Sequence, residues 1–448
     1  MQYINLKLRK IGVELFLVYK NYEKVMKLNK TSIIMFQVHS LGLSKKDCIS
    51  KLMSIFNIEK SMLIHDYDEF VKLLNNFEKG NFDGLAKQNY NIFDEITIQN
   101  RLERNILNAT IELTNICNFK CKHCYVDKKQ SSFINTERTK ELITELSKIG
   151  CYSLLFTGGE ATLHPDFCEI YSHAYSLGFK ITVYTNGYHL TEELKECFID
   201  KKPSMIAISL YGYDNISYEY FTKMPEAFNR IMNSIKFFKQ NNIPIQTRTQ
   251  LHSETKEIIK KIYDISANLN IPFNYGSNIC PPNDPTDLNL ISMNLLPEEI
   301  HRIKELVPSE PLDREKNLVF SKKMLNSIPP QLKEIDWICG GGITSCLIDS
   351  ELNISPCVQL RIPSISMTNS NISIEKAWMD IGEKINLLLK NKNVKKQAFK
   401  CHNCDKKYHC AICPAWIIRV EESQMDEYIN TILCNGAEFD KQGYQNNI

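Results

Sequence analysis

The chain has 448 residues, 43% of them apolar, enough to bury a large core and to form two or three domains. Its 54 Lys and Arg against 52 Asp and Glu leave a formal charge of +2 with the charges scattered, so nucleic acid is not the default partner. No apolar run reaches a membrane span and the start MQYINLKLRK lacks a signal core, so a cytoplasmic protein with no membrane partner is expected.

In chain order, residues Ile4 to Met26 alternate apolar and polar side chains in bursts broken near Gly12 and Asn21, which predicts two or three small antiparallel strands. Thr31 can cap a short helix, Ser44 opens a second at KKDCISKLMSIF, and HDYDEFVKLLNNF carries apolar residues at i, i+3, i+4 and i+7. Strands followed by three helices predict a winged-helix-like unit over residues 1–82. Residues 83–107 read as an irregular linker.

From 108 to 310 the pattern becomes strand and helix in alternation. The candidate strands ATIELTN, YSLLFTGG, KITVYTNG, MIAISLYG, PIQTRTQ and PFNYGSN are each followed by a helical stretch such as TERTKELITELSKIG. Six such βα units predict an α/β fold with a parallel sheet, open or curled into a partial barrel. Active sites of such folds lie at the C-terminal strand ends. The unusual residues fall there: CNFKCKHCY after the first strand, TGGE after the second, TNG after the third and SLYG after the fourth.

The chain has 16 cysteines, and in a long sequence without an export signal their clustering at ligand spacings favours metal over a disulfide scaffold. Cys117, Cys121 and Cys124 can hold three irons of a cubane cluster and leave the fourth open. Zinc is the alternative, with His123 as a fourth ligand, but Cys-x3-Cys-x2-Cys matches poorly the paired spacings that zinc uses. A second group spans residues 311–448: CGGGITSC, Cys357 in NISPCVQL, CHNCDKKYHCAIC and Cys434. Of the remaining Cys48, Cys151, Cys168, Cys197 and Cys280, the middle three read as small hydrophobes, and Cys280, near the barrel mouth, as structural.

Cys117, Cys121 and Cys124, with the motifs that follow in order, resemble the radical S-adenosylmethionine superfamily. The resemblance implies a partial (β/α)6 radical SAM barrel over 108–310. It also implies that S-adenosylmethionine chelates the open iron and is cleaved to a 5'-deoxyadenosyl radical, which takes a hydrogen from substrate. By position, Gly158, Gly159 and Glu160 would receive the methionine amine, Asn186 the ribose, Ser209 with Arg230 the carboxylate, and Tyr125 the adenine. Arg suits a bidentate carboxylate grip.

The C-terminal cysteines resemble the SPASM extension of peptide-modifying radical enzymes, which implies two auxiliary 4Fe-4S clusters and three in all. Cys339, Cys346, Cys357 and Cys413 would hold one, and Cys401, Cys404, Cys410 and Cys434 the other. The N-terminal unit resembles the leader-recognition element of ribosomal peptide maturases. The resemblance as a whole implies a maturase whose partners are a precursor peptide with a leader and an electron donor such as flavodoxin or ferredoxin, and whose product is a crosslink, expected to be a cysteine thioether. Carbon-carbon or ether crosslinking, epimerisation, and a sulfatase-maturase-like dehydrogenase are alternatives. A non-enzymatic electron-transfer module would not need Gly158, Gly159, Glu160, Ser209 and Arg230.

Overall fold

The computed structural model describes residues 6–19, 24–81, 89–126 (backbone alone for 89–95), 132–276, 279, 293–307 and 339–390, with the single residues 403, 404, 413, 415 and 434. Strands β1 (Leu6–Ile11), β2 (Glu14–Tyr19) and β3 (Lys24–Lys27) form an antiparallel sheet in that order. Alternation along it serves two cores. Leu17, Tyr19 and Met26 join a cluster with three helices, while Phe16, Val18 and Val25 pack with Ile96 and Leu107.

The three helices are α1 (Lys30–His39), α2 (Lys45–Met53) and α3 (Lys60–Glu78). Ser44 caps α2 as its position predicts. The cap of α1 is Asn29 rather than Thr31: the Asn29 carboxamide oxygen accepts the Ser32 amide at 2.8 Å. Helix α3 buries Leu63, Tyr67, Phe70, Leu74 and Phe77, a stripe at the helical period. Each such side chain contributes about 1.5–3 kcal/mol by leaving water.

The segment read as an irregular linker instead carries helix α4 (Asn89–Glu103). Its Asn-rich, β-branched sequence has weak helix propensity. Tertiary packing decides the matter, since Ile96, Asn100 and Arg101 are all buried. Arg101 Nη1 donates to the Cys339 carbonyl at 3.2 Å and Arg104 Nη2 to the Gly342 carbonyl at 2.8 Å, so α4 joins the N-terminal sheet to the cysteine-rich region.

The predicted strands form β4 (Asn108–Glu112), β5 (Ser153–Thr157), β6 (Lys180–Thr185), β7 (Met205–Ser209), β8 (Ile245–Gln250) and β9 (Phe273–Gly276), all parallel. Between them run α5 (Thr136–Ile149), α6 (Phe167–Ser176), α7 (Glu192–Asp200), α8 (Asn215–Thr222), α9 (Ala227–Gln240) and α10 (Ile259–Asn268), and α11 (Pro297–Leu306) follows β9. The sheet does not stop at the boundary read between 310 and 311. Strand β10 (Ser345–Ile348) pairs in parallel with β4, and β11 (Asn353–Ser355) and β12 (Ile365–Ser366) extend it to nine strands among the described residues, ahead of α12 (Ile374–Leu388).

The N-terminal sheet docks where the barrel strands begin, at the end opposite their C-terminal edges. Buried Arg9 donates to the carbonyls of Leu177 at 2.7 Å and Cys151 at 3.0 Å, and the Gly12 amide bonds the Gly150 carbonyl. Among the described residues no helix is long and apolar enough to cross a membrane.

Candidate active site

A cavity of about 300 Å³ opens at the C-terminal ends of β4 to β9, lined by Cys117, Cys121, Cys124, Tyr125, Gly158, Gly159, Glu160, Asn186 and Ser209. Side chains from four successive strand ends thus meet in one space. The three cysteines ride on a loop that α8 holds from behind: the Lys120 and Lys122 amides donate to the carbonyls of Thr222 and Phe221. Lys122 also pairs with Glu254 at 2.9 Å.

Gly158 and Gly159 press against the cysteine loop itself. A Cβ on Gly158 would stand 2.1 Å from the Thr114 carbonyl oxygen, and one on Gly159 2.3 Å from that of Ile116. Gly158 also holds φ +143°, a region that glycine alone enters readily. The pair therefore sets the spacing between two loops as well as bordering the cavity. Glu160 is equally committed. Its carboxylate accepts from the Thr162 and Thr185 hydroxyls at 2.7 Å and from the Asn186 amide at 2.6 Å, so one buried charge ties the β5 loop to the β6 loop. Asn186 in turn donates to Asn118, inside the cysteine motif, at 2.7 Å.

Arg230 is not brought into this space. It is exposed on α9 with its guanidinium 4.7 Å from the Tyr188 ring centroid. The arginine that lines the cavity is Arg248 of β8, which the sequence reading passed over. Tyr211 was also missed. It is half-buried in the cavity wall, and desolvation, with the charge of the three cysteines, pushes its phenol above the ordinary range.

His123, considered from sequence only as a zinc ligand, belongs to an aromatic stack. Its ring lies 4.9 Å from Phe221, which lies 4.9 Å from His252. Burial, together with the neighbouring His252, holds His123 down to about 3, and burial holds His252 down to about 4. Both folded values lie below the unfolded value near 6.5, so the unfolded chain takes up protons that the folded chain refuses. Stability should be fully present above about pH 6.5 and fall as pH drops toward 4, by up to about 1.4 kcal/mol per pH unit for each ring. Urea unfolding at a series of pH values checks this. In H252F, which keeps a flat ring on Phe221, the slope should shrink.

In the second cysteine group, Cys339 and Cys357 lie on neighbouring segments, since a Cβ on Gly341 would meet Cys357 Sγ at 3.4 Å. Cys346 is buried on β10, its thiol pushed well up by burial and by nearby Cys151. Arg361 grips Glu112, at the end of β4, through two bonds of 2.9 and 2.6 Å. This tethers the Cys357 loop to the strand that leads into the first cysteine motif. Cys404, Cys413 and Cys434 are described singly, while Cys280, Cys401 and Cys410 lie outside the described residues.

Among the described residues no three Cys, His, Asp or Glu side chains converge as one metal ion requires. Zinc would draw its thiolates to bonds of about 2.3 Å. Three cysteines on one cavity wall fit a cubane, whose cysteine ligands sit on separate irons. Buried Thr249 Oγ1 and Gln250 Nε2 have no hydrogen-bond partner and suit a polar ligand in the same cavity.

Residues 111–265 match the Radical SAM superfamily, so the chain carries a radical SAM domain. The chain is 24% identical over 319 residues to an AdoMet-dependent heme synthase of Methanosarcina barkeri, covering 68% of this chain and 90% of that protein. It is 26% identical over 263 residues to the antilisterial bacteriocin subtilosin biosynthesis protein AlbA of Bacillus subtilis, covering 56% of this chain and 54% of AlbA. Streptococcus suis SuiB bound to its precursor peptide SuiA superposes with a TM-score of 0.59 over 94% of this chain and 96% of SuiB. At 16% identity that is a likeness of fold.

Proposed function

We propose that the chain is a cytoplasmic peptide maturase that joins a cysteine sulfur of a ribosomally made precursor to a carbon of another residue. The observation that carries this reading is the N-terminal unit of three strands and three helices. Among the described residues its strand β3 pairs on one side only, with β2, and an extended leader can add there as a further strand. The fold shared with SuiB, determined with a precursor peptide, and the kinship with AlbA, named for bacteriocin biosynthesis, support it.

In this reading Cys117, Cys121 and Cys124 hold the 4Fe-4S cluster that, with S-adenosylmethionine, supplies a 5'-deoxyadenosyl radical. Gly158, Gly159 and Glu160 shape the wall for the methionine amine, Asn186 faces the ribose, Ser209 the carboxylate and Tyr125 the adenine. Arg230, its guanidinium 4.7 Å from the Tyr188 ring centroid, is the partner of Ser209 for the carboxylate in this reading. Cys339, Cys346, Cys357 and Cys413, and Cys401, Cys404, Cys410 and Cys434, would hold two auxiliary clusters that carry off the electron released when sulfur joins carbon. A flavodoxin or ferredoxin would supply the reducing electron.

The test uses the precursor encoded by a short neighbouring reading frame, with anaerobically reconstituted enzyme, S-adenosylmethionine and reduced flavodoxin. The product should lose a pair of hydrogens per bond together with one alkylatable thiol, and removing the leader should slow turnover by about tenfold or more, because tethering is lost. A product lighter by two hydrogens with every thiol still alkylatable would make the bond carbon-carbon. An unchanged mass would point to epimerisation. The heme synthase relative, 90% of whose length is matched, favours a second reading in tetrapyrrole chemistry. Iron coproporphyrin consumed in place of the peptide would establish it.

A further inference from the structure

Of the four described cysteines outside the candidate cluster sets, Cys48 and Cys151 donate to backbone carbonyls, whereas Cys168 and Cys197 meet each other. Cys168 lies in the first turn of α6 and Cys197 in the second half of α7, helices of successive βα units that pack side by side. Cys168 Sγ stands 3.9 Å from the Glu193 carbonyl, one turn before Cys197 on α7. A helical side chain leans back over the turn that precedes it, so the Cys197 thiol covers the same spot, and the two sulfurs hydrogen-bond. The Cys168 S–H donates, and with Lys201 and the Ser172 hydroxyl it lowers the Cys197 pKa below that of an ordinary thiol, against burial and Glu193. The same bond raises that of Cys168, with burial adding to it. Cys197 is therefore the readier thiolate and Cys168 the thiol behind it. Cys197 is 8% exposed and Cys168 half-buried, so a small solute reaches the pair from the α6 side. Neither sulfur lines the cavity.

We propose that Cys168 and Cys197 are a reversible oxidation site, a dithiol that a hydroperoxide converts to a disulfide between α6 and α7. The Cys197 thiolate attacks one peroxide oxygen, the O–O bond breaks, and the departing hydroxide takes up a proton and leaves as water. The Cys168 sulfur then attacks the Cys197 sulfenic acid; its proton leaves with the hydroxyl as a second water, and the S–S bond closes. Two electrons pass from the sulfurs to the peroxide, and a small dithiol returns the pair to its starting state. Helix α6 follows the Glu160 loop and α7 follows the Asn186 loop, so the link braces from outside the two cavity walls that the Glu160 carboxylate ties from within.

The experiment treats anaerobically reconstituted full-length protein with a small excess of hydrogen peroxide, unfolds it in N-ethylmaleimide, and maps every cysteine by mass after digestion. The peptides that hold Cys168 and Cys197 should appear joined, lighter by a pair of hydrogens than their sum, and dithiothreitol should separate them. Cys48 and Cys151, held on carbonyls in the core, should be recovered fully alkylated. In C168S the sulfenic acid on Cys197 has no neighbouring thiol to resolve it, so its capture by dimedone should rise about tenfold or more over the unmutated protein. Cluster cysteines are read from their own peptides in the same digest, so oxidation there does not count as this link. The assignment is overturned if both thiols stay alkylatable after treatment, if either is joined to a different cysteine instead, or if C168S accumulates no dimedone adduct at Cys197.

Discussion

Replacing Cys117, Cys121 and Cys124 together by Ala is expected to remove about a third of the iron and all cleavage of S-adenosylmethionine. If eleven thiolates hold three cubanes, reconstituted protein carries roughly twelve irons and the variant roughly eight. The variant should still fold. The loop that carries the three thiols is anchored by the Lys120 amide on Thr222, the Lys122–Glu254 pair and the His123–Phe221 stack, none of which uses sulfur. Unfolding transitions of the two proteins should therefore lie close together when both are compared without iron. Iron analysis and 5'-deoxyadenosine release check the prediction. Zinc in the unmutated protein, or roughly four irons there, would sink the auxiliary clusters.

Gly159→Ala should be nearly as damaging, through backbone geometry alone. The added Cβ would stand 2.3 Å from the Ile116 oxygen, 2.6 Å from the Ile116 carbonyl carbon and 2.8 Å from the Asn115 oxygen, and backbone cannot swing aside as a flexible side chain can. Relief requires the β5 loop to withdraw, which breaks the Gly159 amide bond to Thr114 at 2.7 Å and the Glu160 amide bond to Ile116 at 2.9 Å. Ile116 directly precedes Cys117, so the disturbance reaches the cysteine loop at once. The cost should be on the order of 3 kcal/mol or more, with S-adenosylmethionine binding weakened about 100-fold. Gly42→Ala is the control. Its φ of +70° is also unusual but nothing lies within 4 Å, so only about 1–2 kcal/mol of conformational cost remains. A Gly159→Ala protein that keeps its iron and binds S-adenosylmethionine normally would refute this account.

Local chemistry made much of the site legible. A run such as CNFKCKHC names candidate ligands by residue type and spacing, because neighbours on one loop can reach one cluster whatever the rest of the chain does. The alternation in ATIELTN or KITVYTNG likewise declares strands, since period two on a half-buried sheet leaves little else. The α1 cap was misplaced by two residues because Asn29 and Thr31 are both competent acceptors and only the backbone path chooses between them. Helix α4 was missed for the opposite reason. Its own propensity is weak, and its order comes from Ile96 in the N-terminal core and from buried Arg101 and half-buried Arg104 on distant carbonyls.

The cysteine motif, the six strands, and the glycine pair and acid that follow β5 are legible in the chain alone. Each rests on covalent neighbours or on a short period, so no distant part of the chain can alter it. Tertiary structure alone decided which groups share the cavity. Ser209 meets Arg248 because β7 and β8 pair in one register, while Arg230, nearer in sequence, is turned outward by α9. It also decided that β10 continues the barrel sheet and that Arg361 clamps Glu112, contacts between residues far apart in the chain. Such contacts depend on how strands and loops pack once the core has formed, and no local pattern encodes that packing.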